Sequence, residues 1–101
     1  MSKIESMVVG SENKERGTLI FSNSLGTHWS MWDKQVEAFK DQFQIILYNT
    51  RAERDATIED LGNDVVALLD EYGVEKAHYC GISLGGLIGQ WVAINRPERF
   101  K

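Results

Sequence analysis

The sequence predicts an α/β fold in three layers, a parallel sheet with helices on both faces. Three apolar segments, residues 18–22, 43–48 and 77–80, alternate with three segments of helical periodicity. Continuous apolar strands joined by helices are typical of parallel sheets that are covered on both sides. Right-handed crossovers then place the first strand in the middle, with the second and third strands on either side of it.

A largely polar segment, residues 1–16, precedes the first strand. Within it, Met7-Val8-Val9 is a short apolar stretch, and Gly10 to Gly17 reads as a turn. We therefore divide the chain into this N-terminal segment and a core over residues 17–101.

Each predicted helix has its own start signal. Ser30-x-x-Asp33 and Thr57-x-x-Asp60 both have the pattern of a capping box, in which two side chains satisfy free N–H groups at a helix start. Gly73 stands where a C-terminal cap of the second helix belongs. The third helix follows residues 77–80 and ends before Pro97.

Composition excludes several classes of function. The formal net charge of -4 and the absence of a basic stripe argue against binding to nucleic acid or to an anionic membrane. Cys80 is the one cysteine, so no internal disulfide forms and the reducing cytoplasm is the expected compartment. Two histidines and one cysteine do not provide the spaced ligands of a metal site, and we expect no cofactor.

The chemistry-bearing motif is Gly81-Ile82-Ser83-Leu84-Gly85, which lies between the third strand and the third helix. A G-x-S-x-G sequence in this context predicts a nucleophile elbow, a tight turn that holds a serine hydroxyl outward. The two glycines allow the strand and the helix to approach closely. The start of the helix also presents free N–H groups to a developing negative charge. Alternatively, Ser83 only caps the helix.

With these elements in place, the chain resembles the N-terminal part of an α/β-hydrolase, and most resembles the 3-oxoadipate enol-lactonases. The resemblance covers nearly everything from residue 18 to residue 101. It rests on the loop Ser22-Asn23-Ser24-Leu25-Gly26-Thr27, on the elbow segment His78-Tyr79-Cys80-Gly81-Ile82-Ser83-Leu84-Gly85-Gly86, and on shorter matches at Met31-Trp32-Asp33, Tyr48-Asn49-Thr50-Arg51 and Pro97-Glu98-Arg99-Phe100.

The resemblance implies a hydrolase of lactones or carboxylic esters with Ser83 as the nucleophile. It also implies that the backbone N–H groups of Leu25 and Leu84 form the oxyanion hole. Family members carry the catalytic acid and histidine after the serine, and neither is found in the expected place in this chain. Residues 51–57 also lack the glycines of the family's loop at this position. Family members begin with a hairpin of two strands, of which the resemblance leaves at most a strand remnant near Met7 to Val9. We therefore expect a trimmed core with little activity of its own.

Other candidate residues have structural interpretations. His78 and Cys80 in the third strand are expected to be buried in the sheet packing, and the tryptophans are expected to be core or interface anchors. His28 follows the oxyanion loop but precedes the serine, unlike the histidine of this fold. Arg51 follows a strand at the ligand-binding edge of the sheet, where it either meets a substrate carboxylate or stays solvated.

Three hypotheses remain open at this point. The chain is either an active hydrolase or an inactive, truncated or engineered scaffold that self-associates as a dimer. We expect a homo-oligomer because the strands at residues 43–48 and 77–80 would both leave open apolar edges, and helix residues such as Trp91 would lose their cover. The third hypothesis is a nucleotide-binding module, but Ser83 replaces the middle glycine of the G-x-G-x-x-G motif typical of such modules.

Overall fold

One mixed sheet of four strands organises the part of the chain described by the computed structural model, residues 4–51 and 55–101. The strands are β1 (Ser6–Val9), β2 (Thr18–Ser22), β3 (Gln44–Tyr48) and β4 (His78–Gly81), and the α-helices are α1 (Asp33–Phe39), α2 (Ile58–Glu71) and α3 (Leu84–Asn95). Three short 3-10 helices are also present in the described residues, at Ser11–Arg16, Trp29–Trp32 and Pro97–Arg99. The start of the N-terminal segment and residues 52–54 of the glycine-free loop lie outside the described residues.

The strand order is β1-β3-β2-β4, and β2 pairs in parallel with both β3 and β4. This confirms the predicted fold class and the predicted order of the three parallel strands. The prediction of an open edge at residues 43–48 is wrong, because β1 pairs antiparallel with β3, with Met7 opposite Leu47. A segment of four residues is long enough to satisfy the backbone groups along that edge.

The helices divide between the two faces of the sheet, as the apolar strands require. On one face, α2 and α3 enclose a large core of buried side chains: Ile20, Ile46, Tyr48, Leu61, Val65, Val66, Leu68, Leu69, Val74, Ala77, Ile88 and Val92. On the other face, the turn Trp29–Trp32 and α1 cover a smaller cluster formed by Phe21, Trp32, Ile45 and Leu47. We call these the α2/α3 face and the α1 face. Among the described residues, no helix is long and apolar enough to cross a membrane.

The predicted caps are confirmed for α2 and not for α1. The hydroxyl of Thr57 accepts from the N–H of Asp60, and the carboxylate of Asp60 accepts from the N–H of Thr57. That backbone N–H holds the pKa of Asp60 below its ordinary value. Gly73 follows the helix with φ +66°, as predicted for a C-terminal cap. Ser30 forms no capping box, because it lies within a 3-10 turn that is capped by His28.

Candidate active site

Ser83 is held in a backbone conformation that L-residues rarely adopt. Its φ is 56° and its ψ is -116°, and it is the one non-glycine residue with positive φ among the described residues. It stands between the end of β4 and the first residue of α3, and it is exposed. Its side chain makes no capping hydrogen bond to the helix, which does not support the alternative that Ser83 serves only as a cap. Strain at an exposed, uncommitted hydroxyl is characteristic of functional turns.

The elbow glycines are required by contact with backbone. A Cβ on Gly81 would lie 2.4 Å from the carbonyl oxygen of Gly85, and a Cβ on Gly85 would lie 2.2 Å from the carbonyl oxygen of Ser22. Backbone cannot move aside as a flexible side chain can. The two ends of the turn therefore pack directly on each other, and the turn packs on the end of β2. This contact brings Ser83 and the loop after β2 to the same edge of the sheet.

The loop after β2 is anchored by the buried side chain of Asn23. Its Nδ2 donates to the backbone oxygen of Tyr48 at 3.2 Å and to Oδ1 of Asn49 at 3.3 Å, while its Oδ1 accepts from Nε1 of Trp32 at 2.8 Å. Asn49 Oδ1 also accepts from the N–H of Trp29 at 3.0 Å. The sequence places Asn23 in the loop motif but indicates no role for it, since its partners come from two other segments of the chain.

Leu25 and Leu84 have very different surroundings. The side chain of Leu25 is 77% exposed, whereas that of Leu84 is half-buried and packs against the α2/α3 core. An exposed leucine at the loop tip does not contribute to a core, so packing does not explain this residue. A role for its backbone N–H stays a prediction.

The buried Tyr48 and the half-buried Tyr79 lie beneath the elbow. The hydroxyls of Ser22 and Tyr48 are 2.6 Å apart. Burial raises the pKa of Tyr48, and burial followed by the proximity of Tyr48 raises the pKa of Tyr79 far above its ordinary value. Both phenols therefore stay protonated at any physiological pH and act as neutral hydrogen-bonding groups, not as bases.

A cleft of about 560 Å³ adjoins the elbow. Its walls are Ser24, Leu25, Gly26, Thr27, His28, Asn49, Thr50, Arg51, Ala56, Leu61 and Leu84. Arg51 enters this wall with its guanidinium held by the carboxylate of Asp64, at 2.7 Å between Nε and Oδ2. The pair is mostly buried, at 22% and 11% side-chain exposure. Asp64 was not identified from the sequence, where it reads as one polar position on an amphipathic helix.

Of the two histidines and the cysteine, only His28 lies at the cleft, after the oxyanion loop as the sequence indicates. His28 lines the cleft, but its Nδ1 accepts the N–H of Ser30 at 3.0 Å and its ring contacts that of Trp29. His78 and Cys80, predicted to be buried, are both exposed on β4. In the register of β2 and β4 they lie beside Leu19 and Phe21, beyond the part of the α1 face that is covered.

The tryptophans are packing residues, as expected. Trp32 is buried and stacks on Phe21 with ring centroids 4.7 Å apart. Trp91 was predicted to lose its cover but is half-buried, because Gly62 of α2 leaves room for the indole. Leu87 and Ile94 are the large apolar side chains of α3 that are exposed, at 55% and 78%. Within the described ranges, no cluster of three or more His, Cys, Asp and Glu side chains is arranged for a metal ion.

Comparison with known proteins identifies the family. The alpha/beta hydrolase fold family matches residues 17–101. The 3-oxoadipate enol-lactonase 2 of Acinetobacter baylyi is 50% identical over 93 residues, which cover 85% of this chain and 35% of that protein. The 3-oxoadipate enol-lactonase 1 of the same organism is 44% identical over 88 residues, covering 81% of this chain and 33% of that protein.

A solved structure agrees with these sequence matches. The crystal structure of the enol-lactonase from Burkholderia xenovorans LB400 superimposes with a TM-score of 0.89 at 33% identity. The superposition covers 97% of this chain and 40% of that one, so the chain spans well under half the length of its relatives. The resemblance seen in the sequence is therefore confirmed, and the chain belongs to the alpha/beta hydrolase fold family.

Proposed function

We propose that this chain carries the nucleophile and the oxyanion hole of a serine hydrolase that acts on lactones or carboxylic esters. The observation that carries this proposal is the strained, exposed Ser83 at the closed turn between β4 and α3. The enol-lactonase names of the relatives make an enol-lactone the first substrate to test. In this proposal, residues 17–101 are the hydrolase core and residues 1–16 are an N-terminal segment that precedes it.

The chemical step is acyl transfer. The Oγ of Ser83 attacks the carbonyl carbon, the proton of Ser83 passes to a base, and the ring C–O bond breaks to leave an acyl-enzyme that water hydrolyses. The N–H groups of Leu84 and Leu25 would donate to the oxyanion. Leu84 begins α3, where the N–H groups have no partner within the helix.

The base is the component that this chain does not supply in the family's order. No histidine follows Ser83 in the 101 residues. His28 is engaged at Nδ1 as an acceptor, so its neutral form carries the proton at Nε2 and cannot take another without losing that bond. We therefore propose that this chain by itself hydrolyses its substrate slowly. The oxyanion hole would still accelerate the reaction about 10³–10⁴-fold over the reaction in water.

Selective phosphonylation of the Ser83 hydroxyl would test the proposal. A fluorophosphonate at high concentration should modify Ser83 slowly and in preference to Ser24 and Ser30, as read by peptide mass mapping. The Ser83→Ala variant is the control that should lose the label, while Ser30→Ala should keep it. Equal labelling of all exposed serines would contradict a nucleophile at Ser83. The wild-type chain could instead turn over an ester at ordinary enzyme rates, about 1–10³ s⁻¹, and lose this activity in Ser83→Ala. That result would contradict the proposal that the chain lacks a base, and it would favour His28 in this role.

A second proposal concerns self-association, the alternative favoured by the exposed edge of β4. Residues 99–101 bridge to Ala77 at the start of this edge, with the N–H of Ala77 donating to the oxygen of Arg99 at 2.9 Å. Beyond Ala77, β4 pairs only with β2 among the described residues, and Cys80 and Ile82 beside it are exposed. Such an edge can pair with the same strand of a second copy, giving a symmetric homodimer.

Two matched charge substitutions would locate the interface. Cys80→Lys on β4 should shift the sedimentation of the reduced protein from dimer to monomer, because an edge lysine blocks strand pairing. Met7→Lys, at a 41% exposed position on the opposite edge strand, should leave the dimer intact. A monomeric wild-type chain at high micromolar concentration would contradict the dimer. We keep the cytoplasm as the proposed compartment, on the strength of the single free cysteine.

A further inference from the structure

Tyr79 reaches from β4 to the first turn of α3. Its hydroxyl donates to the carbonyl oxygen of Gly85 at 2.6 Å. Tyr79 precedes Ser83 on the strand, and Gly85 follows Ser83 on the helix, so the bond closes the elbow from both sides. A hydrogen bond of this length from a phenol is at the short, strong end of its range.

The ring of Tyr79 is itself firmly held. It stacks on Phe100 with centroids 4.8 Å apart. On another side it lies against α3, where a Cβ on Gly89 would come within 2.4 Å of its Cε1 atom. With stacking on one side and helix backbone on another, the ring has little freedom to turn its hydroxyl away from Gly85.

The same carbonyl lies in the tightest part of the elbow. A Cβ on Gly81 would stand 2.4 Å from the Gly85 oxygen, and Gly85 is pressed against the carbonyl oxygen of Ser22. That oxygen of Ser22 accepts the N–H of Ile82 at 3.3 Å. The turn around Ser83 is thus tied to β2 by backbone and to α3 by the phenol of Tyr79.

We propose that Tyr79 is a positioning residue, which holds the first turn of α3 through Gly85 and thereby fixes the Ser83 hydroxyl and the Leu84 N–H relative to each other. The catalytic consequence rests on the proposed function of Ser83. The geometric part does not, because it concerns only how a strained turn is kept in place. Strained backbone persists only where surrounding contacts over-determine it, and Tyr79 supplies a side-chain contact of this kind.

Amide hydrogen exchange on the labelled 101-residue chain tests the geometric part. In Tyr79→Phe, the N–H groups of Ile82, Gly85 and Gly86 should exchange at least about fivefold faster relative to those of β3, in keeping with the loss of one hydrogen bond. The matched control is Tyr72→Phe, since the hydroxyl of Tyr72 bonds to Ser6 on the opposite edge strand at 2.7 Å. That variant should leave the elbow amides unchanged.

Two results would overturn the proposal. One is elbow exchange that is no faster in Tyr79→Phe than in Tyr72→Phe. The other is acceleration that is equal in the elbow and in β3, which would mean that Tyr79 supports only overall stability. Ser22→Ala gives an independent check if Tyr79→Phe folds poorly. It keeps the Tyr79 hydroxyl, so elbow exchange should stay within about twofold of the wild-type chain relative to β3, and a larger acceleration would assign the positioning role to Ser22 instead.

The catalytic consequence has a separate readout. The rate of fluorophosphonate labelling at Ser83 should fall about five- to tenfold in Tyr79→Phe at saturating probe and stay unchanged in Tyr72→Phe, with no change in half-saturating concentration. An unchanged rate, or a change only in half-saturating concentration, would overturn the catalytic consequence. If the wild-type chain shows no selective labelling of Ser83, the proposed function fails. The exchange experiment still decides whether Tyr79 holds the elbow in place.

Discussion

Helices cover the two faces of the sheet to different extents. On the α2/α3 face, two helices of 14 and 12 residues enclose side chains such as Val65, Leu69 and Ile88, each 0% exposed. On the α1 face, a 3-10 turn and a helix of 7 residues cover β2 and β3 but leave Cys80 and His78 of β4 exposed. The difference shows where the core is concentrated. The α2/α3 face holds the larger buried cluster, whereas the α1 face holds a smaller one and leaves its β4 side uncovered.

The largest loss of stability is expected from a substitution at the centre of the α2/α3 face. Leu69→Ala should lower the free energy of unfolding by about 2–5 kcal/mol, because the cavity left at a site with no solvent access collapses only in part. Ile94→Ala, at a 78% exposed position on α3, should change it by less than about 0.5 kcal/mol. Urea unfolding followed by circular dichroism measures both. Equal effects would mean that this face is not the stable one.

A second test adds volume instead of removing it. A Cβ on Gly62 would lie 2.2 Å from Cε3 of Trp91, so Gly62→Ala should cost about 1–3 kcal/mol despite the better helix propensity of alanine. The exposed neighbour Asn63→Ala is the control and should cost nothing measurable. A Gly62→Ala/Trp91→Leu double variant should recover part of the loss. A stabilised Gly62→Ala chain would show that the contact between α2 and α3 is loose.

Alkaline pH probes the buried tyrosines of the α2/α3 face. Burial raises the pKa of Tyr48 above its ordinary 10.0, so the folded chain binds this proton more tightly than the unfolded chain. The contribution of Tyr48 to the free energy of unfolding should therefore be constant below pH 10. Above pH 10 it should fall, by up to about 1.4 kcal/mol per pH unit for one such group. Urea unfolding between pH 8 and 11 measures the slope, which Tyr48→Phe should reduce. An identical slope in that variant would contradict the assignment.

The smallest effect is expected on the uncovered part of the α1 face. Cys80→Ala should change the free energy of unfolding of the monomer by less than about 0.5 kcal/mol, since the thiol is exposed. Ile45→Val, which removes one methyl group from a buried side chain on the same face, should cost about 0.5–1.5 kcal/mol. Dilution below the proposed dimer constant keeps association out of the measurement. A loss above 1 kcal/mol in Cys80→Ala would mean that β4 is covered on this side.

Local patterns in the sequence determined much of the architecture. The apolar segments around Ile20, Ile46 and Tyr79 predict the three parallel strands and their order, because side-chain period and crossover handedness are properties of short stretches. Thr57, Asp60 and Gly73 predict the ends of α2 for the same reason, since caps involve neighbours in the chain. The glycines around Ser83 predict a tight turn, and its strained backbone agrees with that expectation.

Only the tertiary structure decided which groups are covered. β1 closes the edge of β3, Cys80 and His78 face solvent, and Tyr79 bonds to Gly85 across the elbow. The physical reason is that burial and hydrogen bonding at these positions depend on segments far away in the chain. The apolar character of a strand shows that a face should be covered, but the lengths and directions of the packed helices determine how much of it is.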